Sequence, residues 1–384
     1  MARDQAIESP DVSIGFVWEG LPMYAAREIR ALAAFKNVAV TVVGSRPPFS
    51  VAEIDRAIPF SIHWYDGDAN LPAWADITSR TPDIVFSSGW AFPLCTRLAA
   101  EAKQHGRAVV CMADNRRRHT ARQFLGAVRF RLGLRRRFDR FFVPGQGGRS
   151  LMRYFGVPDS HVREGLYGAD SALFNATTSA SRRPKTVLFV GQMIERKGVD
   201  VLLDGFRASG LESQGWRLRC IGDGPLATRA AATPGCEHLP FCDAADVARQ
   251  LADARLFILP SRNDNWGVAL HEAALSRCVL AATSTVGATS ELMPEDSPLK
   301  FSPGCPNAVR EALRYASGLA DEATDSIADA AHARAQHFGP GRFAREVAGF
   351  VADLTGVRLT ARQAPQAGHI HDAADHGAGH RDEP

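Results

Sequence analysis

The chain has 384 residues, a formal net charge of +3 and 45% hydrophobic residues. That length suits two domains of ordinary size, each able to bury a core, and the near-neutral balance excludes a polyanion binder that works through overall charge. No apolar run reaches the ~18 residues of a membrane span, and the amino terminus MARDQAIESPDVS lacks the apolar stretch of a secretory leader.

In chain order, Ser13–Trp18 reads as a strand, Met23–Phe35 as a helix and Val38–Val43 as a second strand, and strands follow at Ile84–Ser87, Ala108–Met112 and Phe141–Val143. The stretch 167–185 is polar and Ser/Thr/Arg-rich, as linkers are. Beyond it, strands are predicted at Thr186–Val190, Arg217–Ile221, His238–Phe241, Arg255–Leu259 and Val279–Ala282, with helices between most of them. Short apolar strands alternating with helices predict α/β architecture with parallel sheets. The expected division is a Rossmann-like domain over 1–166, a linker over 167–185, a second Rossmann-like domain over 186–338, and a helical segment over 339–358 centred on Gly341–Leu354. The tail 359–384 carries His369, His371, His376 and His380 and is expected to be disordered. Two doubly wound domains would face each other across a cleft, with ligands beyond the carboxyl ends of the strands. Seven cysteines form no Cys-x-x-Cys pair, which favours reduced thiols and a cytoplasmic location.

The stretch Pro260–Glu272 (PSRNDNWGVALHE) carries the most chemistry. It joins a buried strand to an Ala/Leu-rich helix, Val268 to Leu275. Such a turn presents free N–H groups and a positive helix end at the carboxyl edge of a sheet, where a phosphate binds. Asp264 on the loop and Glu272 about one turn into the helix flank it, so one carboxylate can meet a sugar beside the phosphates and the other a ribose. A second strand–turn–helix unit, Val187 to Asp200 (VLFVGQMIERKGVD), turns at Gly191 and places Arg196 and Lys197 where a diphosphate needs neutralising; the bland alternative is two solvated loop charges. A third turn, Ile221 to Leu226 (IGDGPL), offers Gly222 and Gly224 for close backbone approach, and a fourth, Ser284 to Leu292 (STVGATSEL), contains Gly287.

These four segments, in this order, resemble the motifs of the family 4 retaining glycosyltransferases of bacterial polysaccharide and glycolipid synthesis, which have the GT-B fold: two Rossmann-like parallel-sheet domains facing a central cleft. The resemblance is strongest over about residues 140–295 and includes Tyr167-Gly168-Ala169-Asp170. Asp264 stands where the family has the first Glu of its Glu-x7-Glu motif, Trp266 where it has Phe, and Gln192 where it often has Arg. The resemblance implies transfer of a hexose from a nucleoside diphosphate to an acceptor hydroxyl, with retention. No metal or further cofactor is expected. Lys197 and Arg196 would hold the diphosphate, Asp264 the sugar and Glu272 the ribose, with Gly191, Gly222, Gly224, Asn265, Trp266, Gly267, Val268 and Gly287 shaping the donor site. It also implies that the 339–358 helix crosses back to the first domain.

Signals on the acceptor side are weaker. Trp18-Glu19-Gly20-Leu21-Pro22 resembles the glycine loop at the family's donor–acceptor junction. Asp114 and Asn115, after the strand Ala108–Met112, can hydrogen-bond sugar hydroxyls near the transferred sugar or else cap the following helix. Ten arginines between Arg116 and Arg140 alternate with Phe124, Leu125, Val128, Phe130, Leu132, Leu134 and Phe138. Three readings stand: peripheral contact with an anionic membrane or a lipid-linked pyrophosphate acceptor, nucleic-acid binding, which is the least favoured, or a solvated helix whose apolar side packs on the sheet. Asp66 and Asp68 form an Asp-x-Asp, but far from the donor motifs. The expected partners are therefore a nucleotide sugar and a glycan or lipid-linked acceptor, with no nucleic acid. The rival readings are a catalytically inactive GT-B sugar- or nucleotide-binding scaffold, a nucleotide-sugar epimerase, and a nicotinamide oxidoreductase; the last is opposed by the lack of Gly-x-Gly-x-x-Gly after Ser13–Trp18.

Overall fold

The computed structural model describes residues 10–46, 51–67, 71–118 and 120–362. The first sheet contains β1 (Val12–Trp18), β2 (Val38–Ser45), β3 (Ile62–Tyr65), β4 (Ile84–Ser88), β5 (Ala108–Met112), β6 (Arg140–Val143) and β7 (Val162–Glu164), in spatial order β3-β2-β1-β4-β5-β6-β7. The second contains β8 (Thr186–Val190), β9 (Arg217–Ile221), β10 (Cys236–Leu239), β11 (Leu256–Leu259), β12 (Val279–Thr283) and β13 (Lys300–Phe301), in order β10-β9-β8-β11-β12-β13. Every pairing is parallel. The strand order reverses at β1/β4 in one sheet and at β8/β11 in the other, which opens a crevice at each carboxyl edge. Central strands covered by helices on both faces need apolar side chains on both, and Leu256–Leu259 is buried at every position.

Several local expectations are corrected. The Met23–Phe35 segment is an α-helix only over Met23–Arg30. It tightens to a 3₁₀ turn at Ala31–Ala34, and Phe35 leaves to bridge Ala361. The strand expected at His238–Phe241 lies at Cys236–Leu239, because Pro240 has no N–H to continue a ladder. β3, β7 and β13 were not anticipated; they are short, and β3 is only half-buried throughout.

The helix Pro340–Thr355 packs on the first sheet. The Phe343 ring lies 6.0 Å from Phe16 and 5.4 Å from Phe142, and Phe350 lies 5.8 Å from Phe86. Arg163 on β7 ties this helix down through Glu346 at 3.0 Å and Asp353 at 2.9 Å. Residues 359–362, assigned to the tail by the sequence reading, are paired: Thr360 N donates to Asn37 Oδ1 at 2.8 Å, and Asn37 Nδ2 donates to Arg358 O at 3.0 Å. The tail histidines, His369, His371, His376 and His380, lie outside the described residues, as does Asp68.

The chain passes between the two sheets twice, through the 167–170 segment and again near Phe338–Pro340. The two passages touch. A Cβ added at Gly168 would lie 2.2 Å from Gly339 Cα, and Gly339 has φ 125°, so both positions need glycine.

Candidate active site

The carboxyl ends of β8, β9 and β11 wall a cavity of about 850 Å³. β11 runs into the turn Pro260–Gly267, and the helix Val268–Leu275 starts directly after it. Gly267 makes that turn at φ 83°, and a Cβ there would approach Val286 Cγ1 to 2.6 Å. The loop 283–289 fixes the same turn from below. Asp264 N donates to Thr285 O at 3.2 Å and Gly287 N donates to Asp264 O at 3.1 Å.

At the cavity wall, Lys197 Nζ donates to Asp264 Oδ2 at 2.5 Å, with the two side chains 17% and 13% exposed. β8 and β11 are neighbours at the switch point, so residues 67 apart in sequence meet there. Arg196 reaches Asn263 O and Gln192 Oε1, each at 3.2 Å. Lys197 is thus paired within the wall, whereas Arg196 is exposed and bonds to loop oxygens beside it. Gly191, Gly222, Asn265, Gly267 and Val268 also line the cavity. Trp266 belongs to the wall, but its side chain is 2% exposed and packs on Phe338 at 5.4 Å.

Three expected donor residues lie off the wall. Gly224 packs against Met193 and Gly287 against the Asn265 backbone, so each shapes the loops from behind. Glu272 sits one helical turn from Val268, on the same helix face. Its burial pushes the carboxyl pKa up to about 7, partly opposed by Arg27 of the first domain.

The opposite wall belongs to the first domain. Asp114, just past β5, accepts from Asn265 Nδ2 at 3.3 Å and from Tyr167 Oη at 3.4 Å. Neither Asp114 nor Asn115 caps a helix: the next one starts at Ala121 and is capped by Thr120, whose Oγ1 accepts from Gln123 N at 3.3 Å. Tyr24 packs edge-on against Tyr167 at 5.3 Å, and burial pushes its hydroxyl pKa up to about 12, with Asp114 and Asp264 adding to the rise. A second cavity of about 500 Å³ is lined by Glu19, Gly20 and Asn115 together with Trp18, Trp90 and Phe92. Tyr24, Asp114, Tyr167 and Asn265 line both cavities, so the two are neighbours with these four residues between them. Glu19 is oriented by Ser45 Oγ, which donates to its Oε2 at 2.6 Å.

Contacts across the cleft hold the domains together. Arg118 Nη2 donates to Asn265 Oδ1 at 2.9 Å, Arg116 Nη1 to Ser284 O at 3.1 Å, and Gln146 N to Glu291 Oε1 at 2.7 Å. Tyr24, Asp223, Phe241 and Cys242 line the donor-side cavity and were missed from sequence. Phe241 and Cys242 follow β10 at its carboxyl edge, and that position was the available signal. Among the described residues, no group of three or more His, Cys, Asp or Glu is gathered as metal ligands; Asp66 pairs instead with Arg46 at 3.2 Å.

No curated protein matches this sequence. Solved structures do match in shape. A glycosyltransferase from Rickettsia africae superposes with a TM-score of 0.71 at 13% identity, covering 89% of this chain and 98% of its own. Anabaena Alr3699/HepE, solved with UDP and glucose, gives 0.67 at 15% identity, covering 89% of this chain and all (100%) of its own. The sucrose-phosphate synthase of Thermosynechococcus elongatus gives 0.66 at 14% identity, covering 90% and 99%. The chain therefore has the GT-B fold of these proteins, and within it residues 184–317, which carry the Lys197–Asp264 wall, match the family described as glycosyl transferases group 1.

Proposed function

We propose that the protein transfers a hexose from a nucleoside diphosphate to an acceptor hydroxyl, with retention and without a metal. One observation carries this reading: the Lys197–Asp264 pair lies at a strand-to-helix turn where a donor-sized cavity adjoins a second cavity at Asp114. Cleaving a glycosyl phosphate builds positive charge on the sugar and negative charge on the departing phosphate. Lys197 and Arg196 supply fixed cations for the phosphate, in a wall that needs no reorganisation as the charge develops. Asp264 orients the sugar, Glu272 receives the ribose hydroxyls below Val268, and Asp114, Asn115, Glu19 and Gly20 face the acceptor. The leaving phosphate then takes the proton of the acceptor hydroxyl, since no side chain stands as a covalent nucleophile. Retention rests on the resemblance of the Asp264-to-Glu272 spacing.

The HepE complexes with UDP, UDP and glucose, and UDP-glucose make a uridine donor the first to test. A likeness to the lipopolysaccharide outer core galactosyltransferase WaaB (13% identity, TM-score 0.61) supports a glycan or lipid-linked acceptor. No helix among the described residues is long and apolar enough to cross a membrane. The decisive experiment is a thermal-shift screen against nucleoside diphosphates and their sugars, with and without chelator, followed by a donor-hydrolysis assay. Stabilisation by one nucleotide that survives chelator, together with turnover of its sugar, is expected. Stabilisation without turnover would favour the inactive scaffold, and no stabilisation would overturn the donor site.

A further inference from the structure

Seven large apolar side chains are exposed among the described residues, and four stand together on the helix Ala121–Leu132: Phe124, Leu125, Val128 and Leu132, at 59%, 68%, 42% and 76% exposure. At 3.6 residues per turn these four fall within about a 100° arc. The inner face is filled by Ala127 and Phe130, and the Phe130 ring packs 5.1 Å from Trp90 and 4.9 Å from Phe155. The helix thus has its core contact already, and the outer stripe is surplus to it, contrary to the reading in which the apolar side packs on the sheet.

Basic residues surround the stripe. Arg122 and Arg129 are exposed on the helix itself. At its last turn and beyond, Arg131, Arg135, Arg136, Arg140 and His161 line a cavity of about 470 Å³. Asp139, the one carboxylate in that wall, is taken by Lys103 Nζ at 2.9 Å and 3.0 Å. No Asp or Glu occurs between Asp114 and Asp139. Among the described residues, none of Arg122, Arg129, Arg135, Arg136 and Arg137 pairs with a carboxylate. The positive charges of Arg140 and Arg135 reach His161 and, after burial, help lower its pKa.

An exposed apolar ridge rimmed by unpaired arginines is the composition of a surface that lies on charged lipid. We propose that the outer face of the 121–132 helix and the adjoining arginine cavity dock the protein on an anionic bilayer, with the ridge entering the acyl boundary and the cavity holding a lipid phosphate. Nucleic acid is disfavoured, because a phosphate backbone gives four aliphatic and aromatic side chains nothing to enter. The location gives the contact a purpose. Gln123 on this helix donates to Arg116 O at 2.8 Å and accepts from Arg118 N at 2.7 Å, so the helix is fastened to the segment that carries Asp114 and Asn115. Docking there sets the acceptor-side cavity beside the lipid surface.

The test is co-sedimentation of the full chain with phosphatidylglycerol-containing vesicles and with phosphatidylcholine vesicles, for the wild type, Arg135→Ser/Arg136→Ser, Leu125→Ser/Leu132→Ser and Phe124→Ser/Val128→Ser. The wild type should prefer the anionic vesicles. At ~1 kcal/mol per arginine, the arginine pair should weaken binding about 25-fold. Each apolar pair should weaken it at least about tenfold through lost burial. Equal partition of the wild type to both vesicle types, or to neither, overturns the proposal. So does binding that ignores both apolar pairs yet yields to an oligonucleotide or to inorganic phosphate, which would make the cavity a polyanion or free-phosphate site. The melting response to nucleoside diphosphate is measured on the same variants and should match the wild type, so a failed membrane reading and a failed donor reading give different results.

Discussion

Replacing Lys197 by Ala separates structure from catalysis at one position. Its amine lies 2.5 Å from Asp264 Oδ2, and the two side chains are only 17% and 13% exposed. Removing the cation strands a carboxylate that is largely out of water. Breaking a fully buried pair costs about 3–5 kcal/mol, and the residual solvent access here reduces that to ~2 kcal/mol. In a domain of this size such a loss lowers Tm by about 4–8 °C. Losing one fixed charge aimed at a leaving group costs about 10²–10³ in kcat. The Lys197→Ala/Asp264→Asn variant removes the stranded charge as well. It should recover most of the melting temperature and none of the turnover. Melting curves and donor-sugar turnover on the wild type and the two variants provide the readout. Wild-type turnover in Lys197→Ala would refute the reasoning, because the diphosphate would then lie elsewhere. Recovery of turnover in the double variant would show that the single change acted only by stranding Asp264.

Glu272 gives a pH dependence with a definite sign. Its folded pKa of about 7 exceeds the ordinary 4.5, so the fold favours the protonated form. That stabilisation is fully present below about pH 4.5 and is lost as pH rises through about 7; at 1.36 kcal/mol per unit it amounts to at most ~3 kcal/mol, less for the side chain's partial access to water. Glu272→Gln should therefore melt higher than the wild type at about pH 8 and match it near pH 4, as melting across pH would show, and it should bind the nucleotide more weakly by titration calorimetry. Asp114→Ala should lower transfer about 10²-fold while leaving nucleotide stabilisation unchanged, since Asp114 faces the junction with the acceptor cavity; a matching loss of nucleotide affinity would place it on the donor instead. Phe350→Ala empties a fully buried site between Phe86 and Phe142 and should cost about 3–5 kcal/mol in chemical denaturation.

What could be read from sequence follows from burial. Strands such as Leu256–Leu259 and Val279–Thr283 are covered on both faces, so they appear as apolar runs whatever the tertiary detail. Ile62–Tyr65 (IHWY) is a half-buried edge strand and sends no such signal. The Met23–Arg30 helix ends early and Phe35 goes on to bridge Ala361, a contact across most of the chain that no local pattern encodes. That Lys197 and Asp264 belong to one site was legible because both follow strands at a switch point, where topology brings neighbouring loops together, but their direct pairing was not. Tyr24 and Tyr167 were not seen as wall residues, since they reach the cleft from a helix start and from a segment that reads as linker.

The contact between Gly168 and Gly339 sets how the cleft works mechanically. Two passages of chain that lay far apart would confine the domains to swinging about the line between them. Here both passages run through one spot, and neither bears a side chain there, since a Cβ on Gly168 would sit 2.2 Å from Gly339 Cα. The joint is therefore a single point rather than a line. The cleft is then bridged by Arg118 on Asn265, Arg116 on Ser284, Asn265 on Asp114 and Gln146 on Glu291. A donor that needs a wider gap must lengthen or break these bonds, since the joint itself places no side chain in the way.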